Sequence, residues 1–549
     1  MVHMIRWLRN PNLMQRRLIL GLLLGLFVLG YSSFAQDKTP DTAAETISDL
    51  RARLSDYIAQ PRFSAAAWGI KISSLDTGTI LFERNAGKLM KPASNAKLYT
   101  GALALDRLGP NYRIRTSLFA TARPDTAGTL NGDLIVYGRG DPSFAARFNN
   151  GSYQKSLEPL VEAVAAAGIK QIQGSLIGDA SYFHGPPVGS GWAWEDLQFY
   201  YGAEVAALTV EDNVLDLIVR PGPNMGDACQ IIVNPATTFV KFINQTKTAA
   251  KGANRSIAIY RPIGDNTVYL SGSLPLDGSN HTDAVTVHEP AGLFVSLLKD
   301  ALERRGITVS GKLREQSDSG RETHDLSKLV ELGSVRSRPL SEILSKMLKP
   351  SQNLYAQLLL LQVGTMSKTE KDQSGKTGSS SGSPPGALSD SSPPALNIQG
   401  TSEEMGLVEM NKFLQQVGIK KGEVLLEEGS GLSRGCLLTP NATVELLKFM
   451  SHHKYAEVYR ESLPIAGVDG TLRNRMKETK AARNLRAKTG RLRYVDTLSG
   501  YATTAGGESV VFSIMLNNYS NPAALGRDDV DKLAIMLVDF HGKTSKQDK

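Results

Sequence analysis

The chain has 549 residues, 41% of them hydrophobic and 21% charged. That is enough apolar content for about three to four domains, and it excludes a wholly disordered, collagen-like or polytopic membrane chain. The formal charge of +8 is partly local: Arg6, Arg9, Arg16 and Arg17 stand in the first 35 residues without an acid, which leaves 58 basic against 54 acidic residues beyond them. No basic run stands out in that remainder, so nucleic-acid binding has no electrostatic support.

In chain order, the arginines precede an uninterrupted apolar run of 13 residues, 18–30, followed by Tyr31-Ser32-Ser33-Phe34-Ala35 with small residues at the −3 and −1 positions of a cut after Ala35. This is the pattern of a secretory signal over residues 1–35, too short for a spanning helix, which needs about 20 apolar residues. Export is expected, to the periplasm or the cell-wall space. No cysteine follows the run and the polar end, residues 542–549, offers no amphipathic anchor, so no stable membrane attachment is expected once the signal is cut.

Residues 43–58 have helical spacing, and 63–73 and 79–83 read as strands joined through Asp76-Thr77-Gly78, a hairpin signal. Residues 94–108 read as a helix after Pro92, stopped by Gly109-Pro110. From 110 to 334 the texture changes to short alternating strands and repeated Gly-Asp punctuation, read as one or two inserted β-rich domains. A helix-like block begins near Ser351, and residues 366–396 then fall to Ser, Gly, Pro, Lys and Asp, a composition that orders poorly. Residues 485–489, 498–503 and 509–517 read as three strands and 528–540 as a closing helix. The expected architecture is a discontinuous α/β domain, 42–109 with 335–549, interrupted by the inserted stretch.

Cys229 and Cys436 are the only cysteines. Far apart and without metal spacing, they read as two free thiols, with a long-range disulfide as the alternative. The eight histidines show no metal pattern either.

Three short elements carry the chemistry. Ser94-Asn95-Ala96-Lys97 sets a hydroxyl and an amine three positions apart at a helix start, on one face, where a neutral lysine could take the serine proton. The same spacing at Ser152/Lys155, Ser296/Lys299 and Ser451/Lys454 lacks that context. Ser351-Gln352-Asn353 taken alone reads as a helix N-cap. Lys488-Thr489-Gly490 falls on an expected strand, with glycine leaving room for a ligand. Lys376-Thr377-Gly378 lies in the low-complexity stretch and is a decoy.

In the order S-x-x-K, S-x-N, K-T-G these elements form the serine penicillin-recognising set. With the long spacing from Ser94 to Ser351, the chain resembles the class C low-molecular-mass penicillin-binding proteins, the D-alanyl-D-alanine carboxypeptidase/endopeptidases. The likeness runs over nearly all of residues 42–540, including Gly140-Asp141-Pro142-Ser143, Gly178-Asp179-Ala180, Trp194-Glu195-Asp196, Gly429-Ser430-Gly431-Leu432-Ser433-Arg434 and residues 463–472. Departures are Glu428 where the family usually has Asp, Cys436 where Asn is common, and Arg491 after K-T-G where a small hydroxyl residue is usual.

The resemblance implies a β-lactamase/transpeptidase-like domain with an antiparallel sheet flanked by helices. It implies Ser94 as nucleophile and Lys97 as base, with the Lys97 pKa brought from about 10.4 towards 7 at a cost on the order of 4–5 kcal/mol, by burial and by Lys488 as second cation. Ser351 would relay the proton to the leaving amine and Asn353 would orient Lys97 or hold the substrate amide. Lys488, Thr489, Gly490 and the Arg491 backbone would bind substrate, with the N–H groups of Ser94 and Arg491 as oxyanion hole. The expected substrates are peptidoglycan stem peptides, with β-lactams as covalent inhibitors and no metal or organic cofactor. Asp469 is a candidate for substrate contact or for a turn. Trp192 and Trp194 read as core aromatics, or alternatively as a surface for cell-wall peptide. The competing functions are a β-lactamase-like or esterase-like hydrolase and a catalytically silent peptidoglycan-binding or β-lactam-sensing protein.

Overall fold

A computed structural model describes residues 45–317, 325–374, 400–520 and 526–545, without the side chains of 367–374. The chain divides into two units, residues 1–44 and Glu45–Lys549. The secretory-signal expectation and the Lys376-Thr377-Gly378 decoy lie outside the described residues. Among those residues no helix is long and apolar enough to cross a membrane.

The site is built on a five-stranded antiparallel sheet in the order Arg486–Leu492, Val495–Thr503, Ser509–Asn517, Ala67–Ser74, Ile80–Arg84. The first two strands of the chain therefore pair with the last three, joined across Gly69↔Met515 and Ile72↔Phe512. The hairpin at Asp76-Thr77-Gly78 is present, with Gly78 at φ +78°. Ser509–Asn517 is apolar on both faces because both are covered. Val510, Phe512, Ile514 and Leu516 pack with Leu50, Leu54, Leu533 and Leu537 of the terminal helices Ile47–Ile58 and Arg527–Val538. Val511 and Met515 belong to the larger core on the other side. That core holds the helix Ala96–Leu108, in which ten consecutive residues from Ala96 to Leu105 are buried, packed on Leu340–Leu348 and Asn353–Ser374.

Between these parts a second five-stranded sheet runs Leu313–Gln316, Leu176–Asp179, Leu134–Tyr137, Arg115–Ala120, Val330–Arg336. Two further three-stranded sheets lie in 214–286. The last strand of the second sheet runs to Arg336 rather than stopping at 334. The stretch is not only β: it also carries the helices Tyr153–Ala166 and Pro290–Arg304. The helix begun at Asn353 continues to Ser374, so the loop expected from 366 starts as helix. A helix already nucleated against a core extends readily into Lys, Glu and Gln.

Candidate active site

Ser94 sits in a single 3-10 turn, Ala93–Asn95, at the head of the helix Ala96–Leu108. The turn is tied to the sheet: Thr497 Oγ1 donates to the Pro92 carbonyl at 2.9 Å, and Asn95 Nδ2 donates to Ser499 Oγ at 2.7 Å. Ala93 takes the left-handed conformation, φ +46°, which is costly for a residue with a Cβ and persists where its surroundings dictate it. Gly490 and Gly431 make that surrounding possible. A Cβ on Gly490 would lie 2.2 Å from Thr497 Oγ1 and 2.5 Å from the Pro92 carbonyl; one on Gly431 would lie 2.0 Å from the Ala93 carbonyl.

One helical turn on, the fully buried Lys97 amine donates to Ser94 Oγ at 3.0 Å, Asn353 Oδ1 at 2.5 Å and the Ser430 carbonyl at 2.7 Å. Asn353 is fixed from its other end, Nδ2 donating to the Tyr201 carbonyl at 2.7 Å. Ser351 is not an N-cap. It is left-handed, φ +67°, and its hydroxyl accepts a 2.8 Å hydrogen bond from Lys488 Nζ, which also donates to the Thr489 carbonyl at 2.7 Å. Lys488 is as buried as Lys97, while Ser94 and Ser351 remain partly open. The result is two partly open serine hydroxyls, each hydrogen-bonded to a buried lysine. Thr489 Oγ1 donates to Thr471 Oγ1 at 2.7 Å.

Burial sets the electrostatics. It brings Lys97 down to about 7, against an opposing pull from Glu428 and Cys436. Lys488 is driven well below its usual value by burial first, then by the charges of Lys97 and Arg475. Both expected causes are present: burial contributes most to the Lys97 shift, Glu428 and Cys436 oppose it, and the repulsion between the two buried amines acts on Lys488. A drop of that size in Lys97 corresponds to roughly 5 kcal/mol between its two protonation states.

The remaining candidates divide. Gly490 is a packing requirement, and the Arg491 side chain is exposed beside it. Asp469 joins the cluster through no hydrogen bond: its carboxylate takes Lys349 Nζ at 2.5 Å and the Ile465 amide at 2.9 Å. That pair pins the 463–472 loop to the residue two before Ser351. Trp192 is half-buried against the core but Trp194 is 71% exposed, contrary to the core reading. Cys229 and Cys436 are both free and buried.

Two contributors, Tyr201 and Thr471, have no signal in the sequence, and a third, Glu428, shows there only as a departure. The first two act through a carbonyl and a shared hydroxyl contact. Glu428 matters through its place in the fold. Fully buried, it accepts from the Ser430, Gly431 and Ser433 amides at 2.6, 2.5 and 3.3 Å. It thereby shapes the turn whose Ser430 carbonyl meets Lys97. Cys436 Sγ adds a weak 3.8 Å contact to the same carboxylate.

Comparison with known proteins places this geometry in context. The profile of the D-Ala-D-Ala carboxypeptidase 3 (S13) family matches residues 50–381 and 395–537. A D-alanyl-D-alanine carboxypeptidase of Actinomadura sp. (strain R39) is 32% identical over 531 residues, covering 95% of this chain and 89% of that protein. The D-alanyl-D-alanine carboxypeptidase DacB of Haemophilus influenzae is 26% identical, covering 90% and 92%. The crystal structure of penicillin binding protein 4 (dacB) from Haemophilus influenzae superposes with a TM-score of 0.71 at 24% identity, covering 91% of this chain and 100% of that one.

Proposed function

Because the chain belongs to the D-Ala-D-Ala carboxypeptidase 3 (S13) family, and is a D-Ala-D-Ala carboxypeptidase of serine type, we propose that it releases the terminal D-alanine of peptidoglycan stem peptides through an acyl-enzyme on Ser94, and that penicillins acylate the same hydroxyl. The observation that carries this reading is the 3.0 Å contact between a fully buried Lys97 amine and the partly open Ser94 hydroxyl. Neutral Lys97 takes the Ser94 proton as Oγ attacks the carbonyl between the two D-alanines, and the Ser94 and Arg491 amides face the developing oxyanion. Asn353 and the Ser430 carbonyl hold the amine in line.

The second pair handles the leaving side. A substrate carboxylate brought to Lys488 and Thr489 opposes the lowering that burial imposes on Lys488, and the charged Lys488 then disfavours charge on Lys97. Ser351, bonded to Lys488, relays to the departing D-alanine nitrogen the proton that Lys97 took from Ser94, which returns Lys97 to its neutral form. Water then hydrolyses the ester and regenerates Ser94. If the leaving amine belongs to a neighbouring stem peptide, the same acyl-enzyme opens a cross-link. The arginine-led apolar segment over residues 1–35 supports export to the periplasm or cell-wall space.

The kcat/KM for D-alanine release from a stem pentapeptide should rise with pH through about 7, since only the neutral amine of the free enzyme serves as base. Glu428→Gln removes the negative charge that holds the proton on Lys97, so the midpoint should move to lower pH. No release by the wild type overturns the reading; an unmoved or raised midpoint in the variant overturns the role of Glu428.

A further inference from the structure

Behind the S-x-N element lies a polar contact that the mechanism does not use. Tyr355, fully buried on the helix Asn353–Ser374, donates its hydroxyl to Asp212 Oδ1 at 2.5 Å. The other oxygen of Asp212 is held by Arg147 Nη2. The Arg147 guanidinium lies 5.7 Å from the centre of the Tyr355 ring, and the Phe148 ring lies 5.9 Å from it. Asp212 and Arg147 both come from the inserted stretch, whereas Tyr355 is two residues after Asn353. At about 100° per residue, those two side chains leave the helix on nearly opposite sides. The first turn of the helix is therefore clamped: Asn353 to Lys97 and Tyr201 on one side, Tyr355 to Asp212 on the other.

The backbone that presents Asp212 is unusual. Glu211, Asp212 and Asn213 are all left-handed, with φ of 47°, 56° and 58°. Three such residues in a row, none of them glycine, persist only where contacts over-determine them. The contacts are present. Asn213 Oδ1 accepts from Thr209 Oγ1 and the Val210 amide, its Nδ2 donates to the Glu204 carbonyl, and the Glu211 amide donates to the Phe144 carbonyl. A cavity of about 300 Å³ lined by Arg147, Glu211, Asp212 and Asp216 opens onto Gln352, the middle residue of the motif. The strained turn is the wall behind the motif.

We propose that Asp212 and Tyr355, braced by Arg147, are positioning residues through which the inserted stretch sets the place of Asn353, and hence of the Lys97 amine against Ser94. The inference rests on the acyl-enzyme reading above. It gives the insertion a part in the chemistry: the catalytic cleft depends on a side chain that the insertion delivers from behind.

The test is the acylation of the full mature chain by a chromogenic penicillin under single-turnover conditions, for wild type, Tyr355→Phe, Asp212→Asn and the pair together, with thermal unfolding measured alongside. Tyr355→Phe removes one hydroxyl and keeps the ring packing. It should lower the saturating acylation rate roughly 10- to 100-fold, the scale of a small misplacement of reacting groups, and leave the half-saturating concentration within about twofold. The double variant should be no slower than the slower single, since both changes break one contact. A wild-type saturating rate in Tyr355→Phe, or losses that multiply in the double variant, would overturn the proposal. Absence of acylation in the wild type would instead sink the acyl-enzyme reading itself.

Discussion

Replacing Lys97 by methionine should slow acylation by penicillin roughly 10²–10⁴-fold, the range for losing a positioned general base. The residual rate should also lose its inflection near pH 7. Methionine nearly matches the length of the lysine stem, so the fully buried site stays filled. What disappears is the amine that joins Ser94, Asn353 and the Ser430 carbonyl. A stopped-flow acylation series over pH checks both features, with thermal unfolding as the control for folding. A Lys97→Met variant that keeps the wild-type rate and inflection would mean that another group takes the Ser94 proton.

The second large effect concerns Lys488. Lys488→Met should reduce kcat/KM for a peptide with a free C-terminal carboxylate by about 30- to several-thousand-fold, the equivalent of the 2–5 kcal/mol lost when one partner of a buried charge pair is truncated. The same peptide with an amidated C-terminus should be turned over poorly by the wild type and discriminated against far less by the variant. Burial and the neighbouring Lys97 lower the proton affinity of Lys488 in the empty site and a bound carboxylate raises it, so carboxylate binding should be linked to proton uptake. Calorimetry in buffers of different ionisation enthalpy would detect that uptake. Equal losses for the carboxylate and amide peptides would place Lys488 in the leaving-group step alone.

Much of this site could be read from the chain because its groups travel in short motifs. Ser94 and Lys97 share one helix face by spacing, and the sheet strands carry runs such as 509–517 that are buried on both sides. The terminal helix and the returning strands were legible for the same reason. What escaped depends on long-range packing. The direction of the Lys97 shift was foreseen, but its balance of causes was not, because Glu428 stands 331 residues away in sequence and only the fold brings it near. For Asp469 the turn alternative is the one the fold shows, through the Ile465 amide, but the pairing of its charge with Lys349 depends on packing that the sequence does not announce. The helix Tyr153–Ala166 has a buried stripe of Leu157, Leu160, Val161 and Val164, but Pro159 in its interior and the surrounding turn residues obscured it. Three successive left-handed residues at 211–213 have no glycine to announce them.

The acyl-enzyme is the centre of the account, and intact mass after incubation with penicillin G tests it most directly. The mature wild type should gain the mass of one penicillin per chain, and Ser94→Ala should gain none. An adduct of equal yield on Ser94→Ala, or neither adduct nor penicillin turnover on the wild type, would contradict it.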